Sequence, residues 1–305
     1  MDPEQIDMRA TEEFSPRYKG LDLWPDAEVL AAFWDGQMAA VAAVRPALPN
    51  IAAAAAAVAA RLGEGGGRLV YGGAGTSGLL AIQDGMEMNS TFGWPPERLL
   101  LLMAGGDQAR LQITGGDEDD AASAEQAVKD HRLGPADAVI AVAASGTTPF
   151  TVALARAARA AGALTVGIAN CADTPLLQAA ERPILLDSGP EVIAGSTRLN
   201  AGTAQKATLG MLSSLAMTRL GHVVDGLMVS LVADNEKLKG RGARIVAEVA
   251  AVEPAQADAA LERGRGRVKD AILIARGASE AQARDLLAAS GGNLRVAMER
   301  LNLAS

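Results

Sequence analysis

The pattern of apolar and polar positions changes twice along the chain, and each change predicts a different kind of structure. Apolar residues recur at helical spacing over residues 26–44 and 49–62, after a polar start interrupted by prolines. From residue 68 onward, short apolar runs alternate with glycine-rich turns and helical segments. Beyond Gly240 the chain is charged and helical, without further strand-like runs. The pattern therefore predicts leading helices, a strand-containing middle and a helical end.

Five apolar runs predict β-strands, over residues 68–71, 99–103, 138–143, 164–168 and 184–186. Helical segments separate these runs, which favours an α/β fold with a doubly wound, parallel five-stranded sheet flanked by helices. Ligands of such sheets bind outside the carboxyl ends of the strands. We divide the chain into an N-terminal extension and helix (1–48), the sheet domain (49–240) and a small helical domain (241–305). In the last of these, Ser279 and Gln282 predict an N-terminal capping box.

Composition and charge limit the classes of partner and cofactor that the protein can be expected to bind. The formal charge, 28 − 36 = −8, disfavours nucleic acid but permits a small anionic ligand held by backbone amides and hydroxyls. Cys171 is the only cysteine, which excludes an intrachain disulfide, and the two histidines lack metal-ligand spacing, so we expect no metal or cofactor. The start, Met1-Asp2-Pro3-Glu4, lacks the features of a signal peptide, and the apolar residues 51–60 are too few to span a bilayer. These features predict a cytoplasmic protein without a membrane partner.

The first candidate site is the turn Gly73-Ala74-Gly75-Thr76-Ser77-Gly78, between a predicted strand and a helix. It matches the dinucleotide fingerprint G-x-G-x-x-G, but the acidic residue expected about 20 residues further on is poorly placed. Asp107, the nearest candidate, lies 29 residues beyond Gly78. We therefore predict a phosphate cradle formed by Gly75, Thr76, Ser77 and Gly78 at the helix N-terminus, the alternative being a tight structural turn.

The second candidate is Ser145-Gly146-Thr147-Thr148-Pro149, again between a strand and a helix. Three hydroxyls around a glycine favour another anion site, although an ordinary helix cap explains this turn alone equally well. Two such turns at strand ends favour one phosphate that uses both. We predict ligand contacts from Ser145, Gly146, Thr147 and Thr148.

The third candidate, residues 195–206, opens a long predicted helix. Its Ser196, Arg198 and Lys206 could close over an anionic sugar. The alternative is a capped helix whose two cations face solvent.

Among the acidic residues, the residue pattern selects neither Glu87 nor Glu118 for catalysis, since Glu118 lies in the charge run 117–120, which is typical of a solvated surface.

The motifs together resemble a known family. Residues 69–78, 143–149, 195–206 and 227–238 are similar, in order and spacing, to the N-acetylmuramic acid 6-phosphate etherases of the SIS (sugar isomerase) superfamily. The similarity runs from about residue 45 to the C-terminus, and the last two motifs are also typical of the related glucokinase regulatory protein.

The resemblance implies a SIS-type sheet with a ubiquitin-associated-like helical domain, and a homodimer. It implies a lyase that cleaves the D-lactyl ether of N-acetylmuramic acid 6-phosphate, by carbon 2 deprotonation, elimination of lactate and addition of water, without metal or nucleotide. The resemblance implies that Glu87 is the catalytic acid and that Glu118, the second carboxylate, is the base. It also implies that Ser77, Ser145 and Thr148 bind the phosphate.

The chain also departs from the family pattern. Leu79, Thr147 and Asn200 stand where basic residues are usual, and Met88-Asn89-Ser90 replaces Cys-Pro-Pro. Fewer cations weaken contacts with an anionic substrate. Two alternatives therefore accompany the etherase prediction. One is a SIS isomerase or lyase acting on another 3-substituted hexosamine phosphate, and the other is a sugar-phosphate sensor resembling the glucokinase regulatory protein.

Overall fold

A computed structural model of the protein describes residues 9–110, 115–233 and 235–304. The stretch Met1-Asp2-Pro3-Glu4, used above for the signal-peptide prediction, lies outside these residues. The chain forms two compact units. The first comprises Met1–Gly85 and Glu97–Ser213, and the second comprises Met86–Pro96 and Ser214–Ser305. The domain limits predicted at residues 48 and 240 stay predictions.

The helices and strands alternate through the middle of the chain. They are α1 (Asp26–Val44), α2 (Leu48–Gly63), β1 (Leu69–Gly73), α3 (Gly75–Phe92), β2 (Leu99–Met103), α4 (Ala121–Asp130), β3 (Ala138–Ala143), α5 (Pro149–Ala160), β4 (Leu164–Ala169), α6 (Pro175–Ala179), β5 (Arg182–Leu185) and α7 (Asn200–Arg219).

The first unit contains a five-stranded sheet in the order β2-β1-β3-β4-β5, with every neighbouring pair parallel. The central strands β1, β3 and β4 are buried at every position, which explains their unbroken apolar sequences. The predicted parallel α/β sheet is confirmed. The last strand covers Arg182–Leu185 rather than the predicted 184–186, because pairing with β4 begins at exposed Arg182 and Pro183, which an edge strand tolerates.

The strand order creates a crevice at the middle of the sheet. The chain runs from β1 outward to β2, and then returns to form β3 on the other side of β1. In open parallel sheets, the point where the order reverses is where ligands bind, outside the carboxyl ends of the two strands. Here that switch point lies between β1 and β3.

The two leading helices differ in burial. By length and composition, residues 26–63 form one helical stretch that could cross a membrane, with a mean hydropathy of 1.4. Buried core helices pass the same test, and α2 buries Ile51, Val58 and Leu62 and packs against β4 and β5. On α1, by contrast, large apolar side chains are exposed.

Besides the ends of α3 and α7, the described residues of the second unit form a short hairpin and five further helices. The hairpin joins β6 (Val223–Val224) to β7 (Leu227–Met228) and was not predicted, because two residues per strand are too few for a periodic pattern. The helices are α8 (Glu236–Ala250), α9 (Pro254–Arg263), α10 (Val268–Ala275), α11 (Glu280–Ala289) and α12 (Leu294–Ala304), around an apolar core of their own. The helical C-terminal region and the capping box of Ser279 and Gln282 are confirmed.

Candidate active site

Both predicted phosphate turns lie at the switch point of the sheet. The first turn follows β1 and the second follows β3, and these strands are paired with Gly73 opposite Val142. A Cβ built on Gly73 would lie 2.7 Å from the carbonyl oxygen of Val142, so a side chain at this position would force the strand ends apart. The close approach brings the two turns to one edge of the sheet.

In the first turn, glycines and hydroxyl residues have separate roles. Gly78 packs on Gly73, where a Cβ would lie 2.7 Å from the backbone carbon, so the tight-packing alternative describes these two glycines correctly. Helix α3 begins at Gly75, and the first amides of a helix have no acceptor within it. Ser77 is buried and Thr76 is half-buried beside those amides. The turn can therefore bind an anion through amides and hydroxyls.

Glu118 lies against this first turn. Gly75 has a φ of 54°, and a Cβ built on it would lie 2.6 Å from Oε1 of Glu118. The carboxylate comes from a 3₁₀ turn, Gly115–Asp119. Burial, and to a smaller extent the charge of Asp119, raises the pKa of Glu118. The charge run is therefore exposed to solvent at Asp119 and only partly exposed at Glu118.

The second turn is ordered by its own hydroxyls. The backbone amide and the hydroxyl of Thr147 both lie within hydrogen-bond distance of Ser145 Oγ, at 3.2 and 3.0 Å. Gly146 has a φ of 68°, and a Cβ on it would lie 2.3 Å from Oγ1 of Thr174. Thr148 occupies the N-cap of α5 but makes no side-chain capping bond, so the ordinary-cap alternative does not account for its hydroxyl.

A cation that the sequence pattern did not indicate lies beside the second turn. Nη1 of Arg9 donates a hydrogen bond to the carbonyl oxygen of Ser145 at 2.7 Å. The two residues are 136 positions apart, so no local motif could have linked them. The family resemblance places a basic residue at position 147, where this chain has Thr147, and Arg9 supplies a guanidinium to the same turn.

In the third candidate segment, the start of α7 is capped by a carboxylate from outside the helix. Oε2 and Oε1 of Glu191 accept hydrogen bonds from the amides of Asn200 and Ala201, at 2.8 and 2.9 Å. These amides hold a carboxylate of the chain itself, so they are not where a substrate anion would bind. Burial raises the pKa of Glu191, while the two amide bonds oppose that rise. Sequence reasoning missed Glu191 because no spacing rule links it to a helix nine residues later.

The predicted ligands of the third segment are partly exposed. Arg198 and Lys206 face solvent, as the alternative interpretation expected, and Ser196 is half-buried. The segment nevertheless adjoins the first turn, since a Cβ on Gly202 would lie 3.8 Å from Cγ2 of Thr76. Contacts from these three side chains to a ligand stay predictions.

Of the two predicted catalytic carboxylates, Glu118 is the one that the first unit positions at a turn. Glu87 belongs to the second unit, on an exposed position of α3, where its carbonyl oxygen accepts a bond from Ser90 Oγ at 3.2 Å. Its catalytic role stays a prediction. Within the described ranges, no group of three or more His, Cys, Asp or Glu residues is arranged to hold a metal ion.

The chain is similar to several known proteins. Residues 50–158 match the glucokinase regulatory protein N-terminal SIS domain, and residues 120–215 match the SIS domain. An N-acetylmuramic acid 6-phosphate etherase of Deinococcus radiodurans is 50% identical, over 95% of each chain. Another protein of that name, from Streptomyces coelicolor, is 44% identical over 96% of this chain and 94% of its own. A phosphoheptose isomerase structure from Francisella tularensis has a TM-score of 0.45, with 18% identity, over 63% of this chain and 96% of its own.

Proposed function

The chain belongs to the N-acetylmuramic acid 6-phosphate etherase family, and we propose that it cleaves the D-lactyl ether of N-acetylmuramic acid 6-phosphate. The products are N-acetylglucosamine 6-phosphate and D-lactate. One structural observation carries the proposal: a half-buried carboxylate, Glu118, lies on Gly75 of the first turn, at the switch point shared with a second hydroxyl-rich turn.

The phosphate of the substrate binds to the two turns. The first amides of α3, with Thr76 and Ser77, supply donors on one side of the crevice. The second turn supplies Thr148 and also Ser145, whose hydroxyl is positioned by hydrogen bonds from Thr147. Phosphate binding of this kind needs no metal, and it anchors one end of an open-chain sugar so that its reacting carbons stay near Glu118.

Glu118 is the base of the reaction. In the ring-opened sugar, carbon 2 lies beside the aldehyde, so that its proton is acidic. Glu118 takes that proton, and the electron pair forms an enolate. The pair then returns to make the carbon 2–carbon 3 double bond while the carbon 3–oxygen bond breaks. The raised pKa of Glu118 makes its carboxylate a better base than an ordinary glutamate.

Glu87 is the acid that protonates the departing lactate oxygen. Water then adds across the double bond, its hydroxyl at carbon 3 and a proton at carbon 2. This assignment rests on the match of Glu87 to the family motif, and its test separates the two half-reactions. In Glu87→Gln, carbon 2 exchange persists while lactate release falls by at least about tenfold, since general acid catalysis contributes roughly 10²–10⁴-fold. Equal loss of both would contradict the assignment.

The test of the function is incubation with N-acetylmuramic acid 6-phosphate in deuterated water, followed by NMR. We expect lactate to appear together with N-acetylglucosamine 6-phosphate that carries deuterium at carbon 2. Exchange without lactate would instead indicate a lyase for a different 3-substituent. A ketose product would indicate an isomerase, and saturable binding without exchange would indicate a sensor.

The enzyme is a cytoplasmic homodimer in this proposal. The surface that supports self-association is one face of α1, where Leu30, Trp34, Met38 and Val41 recur at helical spacing and are each about half or more exposed. Light scattering on the purified protein tests the dimer, and we expect Trp34→Glu to shift the mass toward the monomer. If Trp34→Glu stays dimeric, the dimer interface is not this face of α1. If the wild-type protein is monomeric, the homodimer proposal is wrong. Fractionation of expressing cells tests the compartment.

A further inference from the structure

The second unit contains a small cavity whose chemistry the proposed reaction does not use. Its volume is about 210 Å³, and apolar residues supply much of its lining, including Val229, Leu231, Val232 and Leu287. Lys269 lines this cavity, and its Nζ is hydrogen-bonded to Gly292, another lining residue. Lys269 is the second residue of α10, a helix whose neighbouring positions Val268, Asp270, Ala271 and Ile272 are buried.

The positive charge of the Lys269 ammonium group is stabilised by few hydrogen bonds or opposite charges. Nζ donates to the carbonyl oxygen of Gly292 at 2.6 Å, which uses one of its three N–H bonds. No ion pair joins Lys269 to a carboxylate anywhere in residues 9–110, 115–233 and 235–304. Asp270, which lines the same cavity, is paired with Arg267 through bonds of 3.1 and 3.0 Å.

His222 is a further titratable group of the cavity. Its Nδ1 lies 2.7 Å from Ser230 Oγ, and its ring meets Trp94 edge-on with centroids 6.0 Å apart. His222, Arg267 and Asp270 are therefore the ionisable groups that share the cavity with Lys269. None of them offers Lys269 an uncompensated negative charge, and burial lowers the pKa of Lys269 to about 8.

A purely structural role is the simplest alternative. The bond to Gly292 ties α10 to the Gly291-Gly292 turn, where both glycines have positive φ values. That role needs a single N–H donor, however, and does not require a desolvated amine beside an open apolar cavity. The two roles make different predictions about reactivity.

We propose that Lys269 is a covalent modification site at which the neutral amine takes an acyl group from a small acyl phosphate. Nζ attacks the acyl carbon, the carbon–oxygen bond to phosphate breaks, phosphate leaves with that electron pair, and Nζ loses a proton to water. The apolar lining accepts the methyl group of an acetyl unit. The amide product keeps one N–H for Gly292 and removes a charge that is costly to bury. This proposal is independent of the etherase reaction.

Acetyl phosphate is the probe, applied at limiting concentration to the intact protein between pH 6.5 and 10. Peptide mass spectrometry then follows acetylation at each lysine. Lys239 is the internal control, because its exposed ammonium is paired with Glu236 at 2.7 Å, which raises its pKa. At pH 7.5 we expect Lys269 to react at least about five times faster than Lys239, since a larger fraction of it is neutral.

The pH profile of Lys269 should level off above about 8, and the preference should vanish when the protein is unfolded in urea. Lys269→Arg should lose the label at this peptide while the other lysines keep theirs. Acetylation of Lys269 no faster than Lys239, or a preference that survives unfolding, would overturn the proposal. The wild-type measurement needs no variant to fold.

Discussion

Glu118 and Glu191 are two carboxylates whose pKa values are both raised by burial, yet their surroundings differ. Glu191 is almost fully buried and accepts hydrogen bonds from two amides at the start of α7. Glu118 is half-buried on Gly75, and no hydrogen bond to its carboxylate occurs among the described residues. A carboxylate bonded to backbone amides stabilises the local fold, whereas one without protein donors has all its acceptor sites open to a ligand.

A raised pKa does not by itself identify a catalytic group. In both residues burial disfavours the charged form. What separates them is the count of local donors and the position in the fold, since Glu118 lies at the switch point and Glu191 lies at a helix start. Four experiments test this distinction.

The largest effect belongs to Glu118→Gln. Removing the base should lower the turnover of N-acetylmuramic acid 6-phosphate by roughly 10²–10⁴-fold and abolish carbon 2 exchange. Steady-state lactate release and exchange into deuterated water measure the two quantities. Glu125→Gln, on the exposed face of α4, is the matched control and should keep normal turnover. Full activity in Glu118→Gln would refute the assignment of the base.

Gly75→Ala should have the next largest effect. An alanine at φ 54° is strained by roughly 1–2 kcal/mol, and its Cβ would displace the Glu118 carboxylate from 2.6 Å. We expect turnover to fall by at least about tenfold, because misplacing a catalytic group is costly. The control is Gly116→Ala, whose Cβ would meet nothing within 4 Å. A variant with normal turnover would show that the position of Glu118 is not critical.

Glu191→Gln should change stability rather than chemistry. The amide side chain has a single acceptor oxygen for the two backbone donors of α7, so the free energy of unfolding should fall by about 1–3 kcal/mol. Urea denaturation measures this, and turnover of the folded protein should stay within about threefold of normal. Glu181→Gln, which alters an exposed pair with Arg182 at 3.8 Å, should cost about 1 kcal/mol or less. If Glu191→Gln lost much of its turnover while its free energy of unfolding stayed normal, Glu191 would act in catalysis and would not differ from Glu118 in role.

The smallest effect concerns the pH dependence of kcat/KM. Glu118 must be ionised to act as a base, so its raised pKa predicts that activity is lost, on acidification, at a higher pH than for an ordinary glutamate. Asp119→Asn removes the repulsive charge beside it and should move this acid limb to lower pH. Added salt should produce a move in the same direction by screening. If neither change shifts the acid limb of the kcat/KM profile, the group that titrates there is not Glu118.

The local elements were largely readable from the sequence. The bounds of α1, β2 and β3 agree with the predicted ranges, and the turns after β1 and β3 were identified by their glycines and hydroxyls. Such features depend on residues within one turn or strand, where periodicity and backbone sterics act directly. The parallel arrangement also followed, because helices between strands require crossover connections.

The tertiary structure decided which of these elements meet. Strand pairing put β1 beside β3 and so joined the two turns, and packing brought Glu118 onto Gly75 across 43 residues of chain. Packing likewise brought Glu191 into hydrogen-bond contact with the amides of α7, and Arg9 into hydrogen-bond contact with the second turn. Resemblance, and not the residue pattern, had singled out Glu118. Burial and hydrogen bonding between distant residues decide whether a carboxylate is a solvated charge, a cap or a base, and these arise only when the chain is folded.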